Sequence, residues 1–134
     1  MVYALDTNII IRYLRNDPIV RQNFNDSVLR GDDLVVPKVV NYEIRRGFRV
    51  TSAPKKEAVY KIFTERCDLA EMDVYSWERA EYVYADLYNK GFTICEMDIL
   101  IAAFCLENDY TLVTNNVKHF EQIDGLRFVN WAVY

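Results

Sequence analysis

The chain has 134 residues with 51% apolar content and a net charge of −4, enough for one domain to bury a core without disulfide staples. No apolar run approaches the roughly 18 to 20 residues that span a bilayer, and because Asp6 interrupts the N-terminal apolar stretch with no basic region before it, no signal peptide and a cytoplasmic protein are expected. Three cysteines, Cys67, Cys95 and Cys105, without C-x-x-C spacing exclude a disulfide framework and a zinc knuckle.

In chain order, residues 2–6 predict a buried strand, and Thr7 to about Arg15 a helix with Ile9, Ile10, Tyr13 and Leu14 as its apolar stripe. Asn16-Asp17-Pro18 breaks it. A second helix to about Leu29 ends in the turn Gly31-Asp32-Asp33, and Leu34-Val35-Val36 is a short strand. Pro37 suits a first helical position, and the helix from Val39 carries Glu43. A helix over Lys55 to Arg66, a strand over Leu69 to Met72 and a long helix over Trp77 to Asn89 follow, the last stopped by Gly91. The apolar helix Met97 to Leu106 precedes the strand Thr111-Leu112-Val113-Thr114 and a last strand near Arg127-Phe128-Val129. This alternation predicts an α/β fold in a single domain over 1–134. A mostly parallel central sheet of four or five strands has helices on both faces, and ligands bind beyond the carboxyl ends of the strands.

Three carboxylates stand out by position. Asp6 ends the first strand, Glu43 sits on the helix after the second, and Asp98 opens the apolar helix. Brought together they would repel one another unless a cation lay between them, and hard divalent cations favour oxygen ligands. Thr7 and Asn8 begin the first helix, where a hydroxyl and free N–H groups orient a carboxylate or a phosphate. Thr114, at a strand end, offers a further hydroxyl. Residues 38–66 carry eight Lys or Arg against three Asp or Glu, while 67–134 carry four against twelve. Arg45, Arg46 and Arg49 therefore mark the stretch suited to holding a polyanion beside the carboxylates.

Each feature has a plainer counterpart. Asp6-Thr7-Asn8 also reads as a helix cap, Asp98 as a complement to a helix dipole, and the basic stretch as a solvated face. Trp77, Tyr82, Tyr84, Tyr88 and Phe104 recur at helical spacing and read as core or dimer surface. A receiver-type phosphoacceptor is disfavoured, because it wants paired acids after the first strand and a late Lys where Asn115 stands.

Leu5-Asp6-Thr7-Asn8, Glu43 four residues before Gly47, Asp98 in Asp-Ile-Leu-Ile-Ala-Ala, and Val113-Thr114-Asn115-Asn116-Val117-Lys118-His119-Phe120 resemble the motifs of PIN-domain ribonucleases, VapC-type toxins in particular. The likeness spans the chain, Gly125-Leu126 and Asn130-Trp131 included. It implies an endoribonuclease that uses Mg2+ or Mn2+, usually a homodimer, held inactive by a cognate antitoxin protein in a groove next to the active site. Asp6, Glu43 and Asp98 would be metal ligands and, with Thr114 and Asn116, catalytic residues. Thr7, Asn8, Arg45, Arg46 and Arg49 would contact RNA. Many relatives carry a fourth acid where this chain has Asn116 or His119, so His119 and Glu96 are possible additions to the site, and one tightly held metal is expected. The missing acid also motivates the alternative of a catalytically degenerate module that binds RNA or protein without cleavage.

Overall fold

The computed structural model describes residues 1–133. Its first strand, β1 (Val2–Leu5), leads through α1 (Thr7–Leu14) and α2 (Pro18–Arg30) to β2 (Asp33–Pro37). Next come α3 (Lys38–Thr51), α4 (Pro54–Thr64) and β3 (Asp68–Ala70). The chain then returns through α5 (Val74–Asn89) and α6 (Glu96–Asn108) to β4 (Thr111–Val113), α7 (Val117–Phe120) and β5 (Phe128–Val129). All strand pairs are parallel, in the order β3-β2-β1-β4-β5. Right-handed crossovers therefore put α1 to α4 on one face and α5 to α7 on the other.

That order decides where a site can form. From β1 the chain steps outward to β2 and β3, and from β4 it steps the opposite way to β5, so the connections diverge between the central strands β1 and β4. A crevice opens at such a switch point, beyond the strands' carboxyl ends. Leu5 pairs with Val113, so Asp6 and Thr114, the next residue after each strand, emerge side by side at its floor.

The sheet is buried from both sides. Ala4, Leu5, Val36, Leu112 and Val113 are fully buried, which matches strands that read as apolar runs rather than alternations. Ile9 and Ile10 of α1 are buried against them, each worth on the order of 1.5–3 kcal/mol. Their burial fixes α1 in rotation and so aims Thr7 and Asn8 toward the switch point. In α6, Ile99, Ile101, Ala102, Ala103, Phe104 and Cys105 are buried on nearly every side, the mark of an internal helix. It packs along α5 and runs back toward the start of β4, so its N-terminus lies at the same edge as Asp6.

Capping sets the boundaries that periodicity alone leaves open. Asp17 accepts from the N–H groups of Ile19 and Val20 at 3.0 and 3.2 Å, with Pro18 opening α2. Gly31 closes that helix at φ +81°, a left-handed conformation that glycine adopts without penalty. The long helix begins at Val74 rather than Trp77, because the Asp73 side chain accepts from the Ser76 N–H at 2.8 Å. Pro37 ends β2 instead of opening α3, and β3 stops at Ala70 instead of Met72. The short α7 falls in a stretch to which the sequence assigns no element, and it buries Phe120. Phe104 belongs to the core, whereas Trp77, Tyr82, Tyr84 and Tyr88 are exposed on α5. Among the described residues no helix is long and apolar enough to cross a membrane.

Candidate active site

Asp6 lies at the base of the crevice, 2% exposed. Its backbone leaves the sheet in an extended conformation and becomes the N-cap of α1, with one carboxylate oxygen accepting from the Thr7 N–H at 2.8 Å. The other oxygen accepts from the Thr114 hydroxyl at 2.8 Å and from the Asn8 amide at 3.0 Å. Thr114 is itself fixed, since its hydroxyl oxygen accepts from the Asn116 N–H at 3.0 Å. The side chain that carries the acid is thus held by donors from β4, the turn after it and α1.

Despite these donors the Asp6 carboxyl titrates above the usual carboxylate range. Burial is the chief cause, partly offset by the bonds from Thr114 and Thr7, and the charges of Asp98 and Glu43 push it further up. No Lys or Arg figures among the groups that shift it. The fold therefore gathers Asp6, Glu43 and Asp98 into one electrostatic neighbourhood in which, among the described residues, no Lys or Arg contributes to the shift of Asp6.

Glu43 and Asp98 reach that neighbourhood by helix geometry. Glu43 lies in the second turn of α3, which starts at the carboxyl end of β2, about 8 Å along a helix that rises 1.5 Å per residue. Its Oε1 accepts from the Thr7 hydroxyl, and its Oε2 stands 4.0 Å from the Arg46 guanidinium. Asp98 occupies the first turn of α6, where the helix dipole favours an anion. Its Oδ2 is 2.9 Å from Nδ1 of His119, an exposed residue of α7. With Glu43 turned to Thr7 and Asp98 to His119, no three His, Cys, Asp or Glu side chains among the described residues close on one point.

The remaining expected residues separate into those the fold brings to the crevice and those it does not. Thr7, Asn8 and Thr114 stand in it, and Asn116 is at its exposed rim, contributing a backbone N–H. His119 touches Asp98 through its ring, while Glu96 is exposed one turn edge away in α6. Of the arginines, only Arg46 lies beside a site carboxylate, and its guanidinium also sits over the Tyr42 ring at 5.4 Å. Arg45 and Arg49 both grip Glu57 of α4, an acid whose pKa the Arg49 hydrogen bond holds below the ordinary value. That pairing ties α3 to α4 and takes up much of the charge that the sequence assigns to a polyanion.

Two residues named in the sequence only as part of the family motifs, with no role given, prove to be tied to the site. The Asn115 N–H donates to Asn8 Oδ1 at 2.8 Å, and the Asn115 side-chain oxygen accepts from Asn130 Nδ2 at 3.0 Å. Both residues follow strand ends that lie next to each other, Val113 opposite Val129. The family motifs include both residues, but their contact with each other follows only from that strand order.

The chain is 30% identical over 132 residues to the tRNA(fMet)-specific endonuclease VapC of Shigella flexneri, covering 97% of this chain and 98% of that one. It is 29% identical over 134 residues to Ribonuclease VapC2 of Rickettsia felis, covering 98% of each. The fold superposes with a TM-score of 0.88 at 26% identity on the crystal structure of VapBC2 from Rickettsia felis bound to a DNA fragment from their promoter, covering 98% of this chain and 99% of that one. DNA-bound VapBC from Salmonella typhimurium gives the same score and identity, with 98% of each chain covered. A family model described as PIN domain matches residues 3–126, nearly the whole sheet and all the site carboxylates, and the chain belongs to that family.

Proposed function

We propose that this chain is an endoribonuclease, the toxin of a toxin–antitoxin pair, and that it hydrolyses RNA phosphodiester bonds with a divalent cation held by Asp6, Glu43 and Asp98. The observation that carries the reading is the buried Asp6, driven up in pKa by its burial and by two further carboxylates, with no cationic side chain answering it. The donor set suits Mg2+ or Mn2+, which take carboxylate oxygens and keep open positions for water and substrate. When bound, such a cation polarises the scissile phosphate and acidifies water, which carboxylates alone do not do. Holding it asks Glu43 and Asp98 to turn from Thr7 and His119 toward Asp6.

The chain's own groups supply the rest. Thr114 and Asn8 hold one Asp6 oxygen in place, and the Thr7 N–H holds the other. Arg46 stands next to Glu43 as the cation best placed for an RNA phosphate, with Thr7 and Asn8 at the start of α1 orienting the same anion. Arg45 and Arg49 bind RNA more weakly for as long as Glu57 holds them. His119 orients Asp98 through its Nδ1 contact. The degenerate alternative finds less support, because Asp6 is held in place by the Thr114 hydroxyl while Glu43 and Asp98 are near enough to raise its pKa.

A groove of about 400 Å³ runs beside Glu43 between α1, α3 and α4, walled by Ile11, Leu14, Ile44 and Phe48 and edged by Arg15, Lys55 and Lys56. Apolar walls with a basic edge fit an amphipathic segment bearing acidic residues, and here we place the antitoxin. The likeness to the solved VapBC structures supports such a partner. Trp77, Tyr84 and Tyr88 share an exposed side of α5, with the two tyrosine rings stacked at 6.3 Å, and support a homodimer. With its RNA substrate, the protein belongs in the cytoplasm.

Purified protein incubated with RNA in Mg2+ or Mn2+ tests the reading. Cleavage that EDTA and Asp98→Asn both abolish is expected. RNA binding without cleavage, unchanged by Asp98→Asn, would leave only the degenerate module.

A further inference from the structure

A chain of carboxamides links the crevice to the last strand. The Ala132 N–H donates to Asn130 Oδ1 at 2.9 Å, and Asn130 Nδ2 donates to Asn115 Oδ1 at 3.0 Å. The Asn115 N–H in turn donates to Asn8 Oδ1 at 2.8 Å, which leaves Asn8 Nδ2 to donate to Asp6 Oδ2 at 3.0 Å. Backbone N–H groups only donate, so they fix which end of Asn130 and of Asn8 carries oxygen. Turning either amide over would set donor against donor, and the NH2 group of each is thereby forced toward its next acceptor.

The far end of this relay is anchored. Trp131 is buried, meets Tyr3 edge-on at 5.4 Å and has its carbonyl bonded by Asn23 at 3.0 Å. The Thr114 N–H donates to the Val129 carbonyl at 2.9 Å, so the strand ends that present Thr114 and Asn130 are locked to one another. From these links we propose that Asn130 is a positioning residue of the active site. It fixes Asn115, and through the Asn115 N–H and Asn8 it fixes the oxygen of Asp6 that faces Thr114. The inference rests on the nuclease reading in that Asp6 is taken as a cation ligand. Groups that orient a ligand in this way typically carry about 10–100-fold in metal affinity or activity.

The test uses the full chain with Asn130→Ala and Asn130→Asp, the second keeping an acceptor for Ala132 but no donor for Asn115. Three quantities are read: amide hydrogen exchange at Asn115 and Asn116, the Mn2+ dissociation constant by calorimetry, and kcat and KM for RNA. Both variants are expected to exchange faster at Asn115 and Asn116 while the core amides keep their protection. They should bind Mn2+ roughly 10–100-fold more weakly and lose kcat with KM unchanged. A purely structural role would lower the melting temperature and leave the Mn2+ affinity of the folded protein where it was, which overturns the proposal. Unchanged exchange at Asn115 in both variants overturns it as well, whatever happens to cleavage. If the wild type neither binds Mn2+ nor cuts RNA, the nuclease reading falls, and exchange at Asn115 still decides whether Asn130 holds this turn.

Discussion

Two clusters of charge are assembled from distant parts of the chain, and they differ in how the charge is answered. At the switch point, Asp6 is buried beside Glu43 and Asp98 and its carboxyl is held above the ordinary range. Between α3 and α4, Glu57 is gripped by Arg45 and Arg49 and its carboxyl is held below that range. Both acids were placed by the fold, yet Glu57 is answered by two guanidinium groups and Asp6, among the described residues, by none. A balanced cluster fastens two helices, whereas an unbalanced one stores an attraction for a cation from outside, which is why function is assigned to the first region and structure to the second.

The largest difference expected between the two is in catalysis. Asp6→Asn or Asp98→Asn should lower RNA cleavage by about a thousandfold or more, since several kcal/mol of metal-derived stabilisation goes with the ligand. Glu57→Gln should leave turnover within a few-fold. Equal losses from the three variants, measured as single-turnover rates on one RNA, would erase the distinction. Thr114→Val comes next. It removes the hydroxyl that holds Asp6 and the acceptor of the Asn116 N–H, and should cost about 10–100-fold in rate with on the order of 1–3 kcal/mol in stability by urea unfolding.

Stability against pH separates the regions by sign. The raised pKa of Asp6 means that its protonated form is favoured on folding, so the stability it contributes is fully present below its unfolded value of about 3.8 and is lost as pH climbs through the higher folded value. Glu57 runs the other way, contributing above its unfolded value near 4.5 and losing that contribution as pH falls through the lower folded value. Melting curves in EDTA should therefore show Asp6→Asn gaining on the wild type as pH rises from 4 to 7, and Glu57→Gln losing to it. A parallel pair of difference curves would contradict the opposite environments. The smallest effect concerns RNA affinity. Arg46→Gln should reduce the slope of log affinity against log salt by about one, and Glu57→Gln should steepen it by freeing two guanidinium groups.

How far these regions were legible in the sequence follows from what each element depends on. Strand β1 and helix α6 announce themselves because burial on both sides demands unbroken apolar runs, and Asp6 and Asp98 stand out as the acids at their ends. Thr7, Asn8, Glu43 and Thr114 reach the crevice for the same reason, being placed by strand ends and the first two turns of helices. Arg45 and Arg49 read as free cations because their partner lies on a separate helix, and a run of positive charge in a sequence does not show what it faces. Helix α7 spans only four residues, too few for a period to be seen.

By its pattern of apolar runs, breakers and strand-end acids, the sequence alone determined an open parallel α/β fold and singled out Asp6, Glu43 and Asp98 as the acids to propose at one edge of its sheet. Which strands are neighbours, and hence that Asn130 stands beside Asn115, that Arg45 and Arg49 are spent on Glu57, and that His119 meets Asp98, was decided by tertiary structure. Local pattern reports how each residue meets its own helix or strand. Pairings across tens of residues depend on the order in which strands pack, an order fixed by the burial of the whole sheet and written in no single segment.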